Sequence, residues 1–328
     1  MWSIAVKLAR RKFLLLTAGA TALPVALRFA WAQTYPSRPV RIIVGLAPGG
    51  TSDISARLVG QWLSERLGRQ FVVENKTGAA GNIAAEYAVN ATPDGYMLLV
   101  FASPAAINAT LYPNLNFNFV RDVAPVAFIS RTPFVMVVNP AFQARAIPEF
   151  VAYAKVNSHK INMASAGIGT MTQLCYELFK MMTGLDLVHV PYRATYLPDL
   201  IGGQVQGAFS TVPQAIKFIK DGRLRALAVT STARVDALPD IPSLGEFVPG
   251  YEAEGWFGIV APKTTRGDII GKLNNEINAA IADPKLRAQF RELGVSPMSM
   301  APAEFGQLIA DQTEKWGKVI KVADIKPE

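Results

Sequence analysis

The stretch that decides the fold is Arg41-Ile42-Ile43-Val44-Gly45-Leu46-Ala47-Pro48-Gly49-Gly50-Thr51-Ser52-Asp53. Its β-branched run reads as a strand, Pro-Gly-Gly as a tight turn, and Thr-Ser-Asp as the opening of a helix. Ile54, Leu58, Val59, Trp62, Leu63 and Leu67 then recur on one helical face, and Gly68 stands where a C-terminal cap belongs. A strand that turns straight into a helix leaves the first N–H groups of that helix unpaired. With the positive end of the helix dipole they suit a carboxylate or a phosphate. Gly49 and Gly50 let a ligand approach the backbone without meeting a Cβ. The same turn serves many α/β proteins as a plain connection, so the stretch fixes a strand–turn–helix unit and leaves binding open.

Upstream, Arg10-Arg11-Lys12 precedes Phe13-Leu14-Leu15-Leu16 and a run of small and apolar residues, and Ala30-Trp31-Ala32 precedes Gln33. This order reads as a signal peptide over residues 1–32, cleaved on export, so a periplasmic address is expected. Arg10 to Leu14 also resembles a twin-arginine signal, although a general secretory signal carries the same residues. The segment holds five basic residues and no acidic one, so its removal takes the net charge from +8 to +3. No basic tract for nucleic acid remains. The 296 residues left suffice for two ordinary domains. The single cysteine, Cys175, excludes an intrachain disulfide, and its apolar helical surroundings read as core.

Downstream, strands at Phe71 to Val73 and Met97 to Phe101 alternate with an alanine-rich helix from Ile83 to Ala91, which predicts a doubly wound α/β lobe. In such sheets ligands sit outside the carboxyl ends of the strands, where Pro48 to Gly50 and Ala102-Ser103-Pro104 fall. A strand at Phe134 to Val138 opens a fresh series. There Ile161 to Ala164, Ser165-Ala166-Gly167-Ile168-Gly169-Thr170 and a helix from Met171 repeat the strand, glycine turn and helix. Strands at Leu187 to Val190, Val205 to Phe209 and Leu224 to Val229 follow. A strand at Trp256 to Pro262 leads into helices at Gly267 to Ala282, Pro284 to Leu293 and Pro302 to Val322. Two glycine turns, one per lobe, are expected to face each other across a cleft. Residues 33–138 form the first part of lobe one, 139–255 lobe two, and 256–328 the return to lobe one.

Several ordered segments resemble one family. They are Pro48 to Asp53, Glu74 to Asn82, Pro93-Asp94-Gly95-Tyr96, His189-Val190-Pro191-Tyr192-Arg193, Leu224 to Thr230 with Arg234, and Leu238 to Ser243 with Glu246. Together they resemble the Bug (Bordetella uptake gene) family, the extracytoplasmic solute receptors of tripartite tricarboxylate transporters, from about Tyr35 to the C-terminus. The resemblance implies a type II periplasmic-binding-protein fold of two lobes that closes over a small carboxylate, with membrane transporter components as partners. It places ligand contacts on Pro48, Gly49, Gly50, Thr51, Ser52 and Asp53 in lobe one and on Ser165, Gly167, Ile168, Gly169 and Thr170 in lobe two. The carboxylate would be held by amides near Gly49, Gly50, Gly167 and Gly169 and by the hydroxyls of Thr51, Ser165 and Thr170. Departures bear on ligand identity. Thr170 ends a turn that the family closes with serine, and Gln173 takes the place of a histidine. The loop after Arg193 is shorter. Ser210 stands where many members carry an aspartate, which disfavours amino-acid ligands.

Ser103 and Asn108 follow strand three at the crevice edge and could bond the ligand or serve the turn. Tyr192 and Arg193 could supply a lid or a countercharge, or simply make an amphipathic surface contact. Asp53 is read as capping and orienting the turn more than as touching a carboxylate, which it would repel. Phe101, Trp256 and Phe257 could line an apolar pocket, but core packing is the default for aromatics in strands. An enzyme on this fold has no named chemistry: Met163 breaks the nucleophile elbow before Ser165, and Thr172 breaks a dinucleotide fingerprint. His159 and His189 are read as structural. No cofactor and no metal are expected, nor any nucleic-acid partner, and the chain is taken as a monomer. A receptor that reports to a membrane sensor would look the same.

Overall fold

The computed structural model describes residues 35–327 apart from 47 and 194. The expected signal peptide, with its cleavage site and arginine pair, lies outside the described residues. So does Ala194 of the shortened loop.

The opening stretch folds as read. Strand β1 (Val40–Val44) runs into the turn, and helix α1 (Thr51–Leu67) ends at Gly68 in the left-handed conformation. Strand β2 (Phe71–Asn75), helix α2 (Asn82–Val89), strand β3 (Met97–Ala102) and helix α3 (Ser103–Leu111) complete the first series. Strand β1 pairs in parallel with both β2 and β3, so their carboxyl ends share one edge.

Strand β4 (Val123–Val138) is 16 residues long, where sequence pattern marks only Phe134 to Val138. Up to Pro133 it pairs antiparallel with β9 (Glu254–Pro262). From Phe134 it pairs with β7 (Gly207–Thr211) and β8 (Arg225–Val229). Pro125 and Pro133 hide the first half from a pattern search, because proline reads as a strand breaker. The strand accommodates Pro125 next to a register shift between Pro125 and Ala127. The second series comprises helix α4 (Ile147–Val156), strand β5 (Asn162–Ser165), helix α5 (Met171–Thr183) and strand β6 (Val188–Pro191). The short helix α6 (Leu197–Ile201) leads to β7, followed by helix α7 (Val212–Lys220). Strand β5 is parallel to β6 and β7, so their carboxyl ends share an edge too. The strand order is β2-β1-β3-β9-β4-β7-β5-β6, and β8 also pairs with β4. The result is a two-lobed mixed α/β fold.

Helices α8 (Gly267–Ala282) and α9 (Pro284–Glu292), the short strand β10 (Ser296–Pro297) and helix α10 (Pro302–Val322) follow β9. Helix α10 packs against α3, β4 and α5, tying the two series together. Its Phe305 meets Phe128 and Trp256 edge-on, and Trp316 is fully buried. Trp256 also lies 6.0 Å from the ring of Phe101. These aromatics are core, as their strand positions imply. Cys175 is buried in the same cluster, and burial pushes its thiol up, so it stays an inert core residue. Among the described residues no helix is long and apolar enough to cross a membrane.

Candidate functional site

The lobe-one turn is organised by Asp53. Its carboxylate is 2% exposed. It accepts from the Gly49 N–H at 2.9 Å, from Arg57 at 2.9 and 3.1 Å, and from Asn75 Nδ2 at 3.0 Å. Burial alone would raise this carboxyl, but the bonds from Arg57, Gly49 and Asn75 outweigh it and hold the group below its usual range. Both oxygens are therefore engaged in fixing the turn. The Gly49 N–H, expected to be open to a ligand, is engaged with them. Gly49 has a φ of +77°, which favours glycine there. Gly50, with an extended backbone, stands at the cap position, and no side chain caps α1. The N–H groups of Thr51 and Ser52 thus stand in the first turn without an intrahelical acceptor.

Ser52 opens onto a cavity of about 30 Å³ at the carboxyl ends of β1 and β3. Its walls come from Val44 to Leu46, Leu99 to Ala102 and Ala105, with Phe119 and Asn108. The remaining wall is the turn before α2, where Gly78, Ala79, Ala80 and Gly81 all have positive φ. Two alanines in that region mark strain held beside the cavity. Sequence pattern showed glycines there but not the alanine conformations. Pro48, Gly49, Gly50 and Thr51 lie on the turn outside the cavity wall.

Ser103 takes a different role. Its hydroxyl accepts from the Trp256 N–H at 2.7 Å and donates to the Trp256 carbonyl at 3.2 Å, so it joins α3 to β9. Asn108 is 2% exposed and donates from Nδ2 to the Ala80 carbonyl at 3.0 Å and to Asn82 Oδ1 at 2.8 Å.

The lobe-two turn is a closed network. The Gly167 N–H reaches Ser165 Oγ at 3.2 Å, and the Gly169 N–H reaches Gln173 Oε1 at 2.7 Å. The Thr170 hydroxyl donates to the Gly167 carbonyl at 2.6 Å and caps α5. Ser165, fully buried, also lies 2.7 Å from His189 Nε2. Since Gln173 Oε1 accepts from Gly169, Gln173 Nε2 faces His189 Nδ1 at 3.4 Å as a donor. That assigns the ring proton to Nε2, pointing at Ser165. Burial, with Lys180 nearby, lowers the His189 imidazole to about 4, and its ring stacks on Tyr176. Gln173 therefore clamps the turn. Tyr192 sends its backbone N–H to the Ser165 carbonyl at 3.0 Å and its hydroxyl to Asp199 at 2.8 Å. It supports the turn from behind. Ile168 is half-buried at its tip.

The two turns are not joined by a hydrogen bond among the described residues. They are linked through α3: a Cβ on Gly169 would stand 2.6 Å from Leu111 Cδ2. The lobe-two turn thus rests on the far end of the helix whose Asn108 lines the lobe-one cavity.

This arrangement defines a periplasmic-binding-protein fold of two α/β lobes. The profile described as "Tripartite tricarboxylate transporter family receptor" matches residues 55–325, and the chain belongs to this family of solute-binding receptors. It is 32% identical over 300 residues to Protein BugT of Bordetella pertussis, covering 90% of this chain and 92% of that one. Among solved structures it is similar to "R. palustris Rpa4515 with adipate", at 32% identity and TM-score 0.76, covering 90% and 100% of the two chains. It is also similar to MatC from Rhodopseudomonas palustris with bound malate, at 28% identity and TM-score 0.71, covering 87% and 100%.

Proposed function

We propose that this receptor captures a small carboxylate in the periplasm, after export by a cleaved signal peptide, and delivers it to the membrane components of a tripartite transporter. The observation that carries the reading is the uncapped start of α1. There the Ser52 N–H and hydroxyl stand at an uncharged cavity at the strand ends of lobe one, with the Thr51 N–H on the adjoining turn. An anion there meets fixed donors and the positive end of a 17-residue helix. Adipate and malate in the two related structures support the carboxylate class. Lobe one takes the anion first in this scheme. The lobe-two turn from Ser165 to Thr170, already stiffened by its own bonds, closes on it as a wall. Closure follows because the ligand touches both lobes only when they approach, which biases the equilibrium between the two states.

An enzymatic role has little support. A serine nucleophile needs its histidine as proton acceptor, and here the Gln173 amide facing Nδ1 assigns the proton to the His189 nitrogen next to Ser165. The test is thermal unfolding of the mature protein, refolded to remove carried-over ligand, against di- and tricarboxylates, hydroxy acids, aromatic acids and the matching amides. Ligand at 100 times its Kd adds about 2.7 kcal/mol, a shift of several degrees. Stabilisation by an acid and not by its amide supports the reading. No shift with any acid at millimolar concentration counts against it.

A further inference from the structure

The cavity beside Ser52 is lined by the start of α1 and by one buried amide, Asn108. Asn108 is 2% exposed, and both N–H bonds of its amide are used, on the Ala80 carbonyl and on Asn82 Oδ1. A backbone carbonyl can only accept, so the Ala80 contact fixes which way the Asn108 amide faces. Its Oδ1 has no partner among the described residues, and Asn108 lines the cavity. Apart from Ser52, every other lining residue is apolar or glycine, and none is charged.

Three ligand ends can be compared at that oxygen. A second carboxylate would bring its charge against Oδ1 with no cation in the wall, losing its water without replacement. An ammonium would find one neutral acceptor and no countercharge, which is costly for a desolvated ion. A hydroxyl donates one hydrogen bond, satisfies Asn108 and leaves no charge buried. The aliphatic carbon beside it suits Phe119, Leu99 and Val100.

We propose that the ligand is a short hydroxy monocarboxylate whose hydroxyl donates to Asn108 Oδ1 while its carboxylate sits at the start of α1. This rests on the carboxylate-capture reading above and narrows it. It sets this chain apart from the two relatives seen with the dicarboxylates adipate and malate.

Calorimetric titration of the refolded mature protein with four probes of one skeleton tests it: 3-hydroxybutyrate, butyrate, malate and 3-hydroxybutyramide. Butyrate lacks the hydroxyl, malate replaces the methyl with a second carboxylate, and the amide removes the charge. The expected result is 3-hydroxybutyrate tighter than butyrate by about fivefold or more, and tighter than malate by about tenfold or more. Asn108→Leu should bring the hydroxybutyrate-to-butyrate ratio to about one. Because that change also frees the Ala80 turn, Asn82→Ala serves as its control. It breaks the Asn82 link, keeps the Asn108 oxygen, and should retain the preference. Equal binding of butyrate, tighter binding of malate, or a preference that survives Asn108→Leu overturns the hydroxyl assignment and leaves carboxylate capture standing. No binding by any of the four overturns the hydroxy-acid assignment alone, and amide binding equal to acid overturns both.

Discussion

Replacing Asp53 by alanine separates a residue that builds the turn from one that touches the ligand. Three partners lose their acceptor. Gly49 N–H and Asn75 Nδ2 each donate to a buried carboxylate, at 2.9 and 3.0 Å. Hydrogen bonds to a charged group contribute about 1.5–3 kcal/mol each. The Arg57 partner is 51% exposed, so its ion pair adds at most about 0.5–1 kcal/mol. Relaxation and new water contacts offset part of this, leaving a loss of about 3 kcal/mol for Asp53→Ala. Asp53→Asn, whose amide oxygen still serves one donor, should lose about half as much. The assay is urea unfolding at several pH values. Since the folded-state carboxyl lies below its unfolded value, the stabilisation is complete above the unfolded value of about 4 and is lost as pH falls through the lower, folded one. The gap between wild type and Asp53→Ala should therefore be widest near neutrality and close in strong acid. A gap under about 0.5 kcal/mol at pH 7 would refute the organising role. So would one that does not shrink on acidification.

His189, buried and neutral, should make the protein less stable as pH falls from about 6.5 to about 4, because the unfolded chain takes up the proton before the native one does. An imidazole titration followed by NMR should show native His189 protonating near pH 4, and a midpoint near 6.5 would contradict it. Gly169→Ala places a Cβ at φ +73° and 2.6 Å from Leu111, so a loss of about 1–2 kcal/mol is expected in thermal unfolding. Gly294→Ala, at φ +66° with its Cβ 2.2 Å from the Pro213 ring, should cost more, because a proline ring cannot rotate away. Equal stabilities for these two variants would count against that reasoning.

Much of this fold is legible in the chain because each lobe announces itself by the same unit. Arg41 to Leu67 and Ile161 to Thr183 each read as strand, glycine turn and helix. What pattern could not show is how one strand serves both halves. Pro125 and Pro133 disguise the first part of β4, and only its pairing with β9 identifies it. At the site, sequence located the two turns but not the use of their donors. Gly49, Gly167 and Gly169 were natural anion donors on paper, yet Asp53, Ser165 and Gln173 supply internal acceptors for their amides. Those acceptors lie within four residues in the chain, but whether a side chain folds back is set by packing. Asn108 stood out as a polar residue after strand three. Its one open oxygen depends on Ala80 and Asn82, more than twenty residues away, and no local pattern encodes that.

The most direct test fills the cavity. Ala105 lines it on α3, and Ala105→Leu adds three carbons at that wall. Calorimetry should compare this variant with wild type, using whichever acid of the panel stabilises wild type most. If the cavity beside Ser52 is the binding site, the variant stays folded, unfolding within a few degrees of wild type, and its affinity falls by about tenfold or more. An unchanged Kd in a folded Ala105→Leu protein would contradict the site, and with it the account of how this receptor holds its ligand.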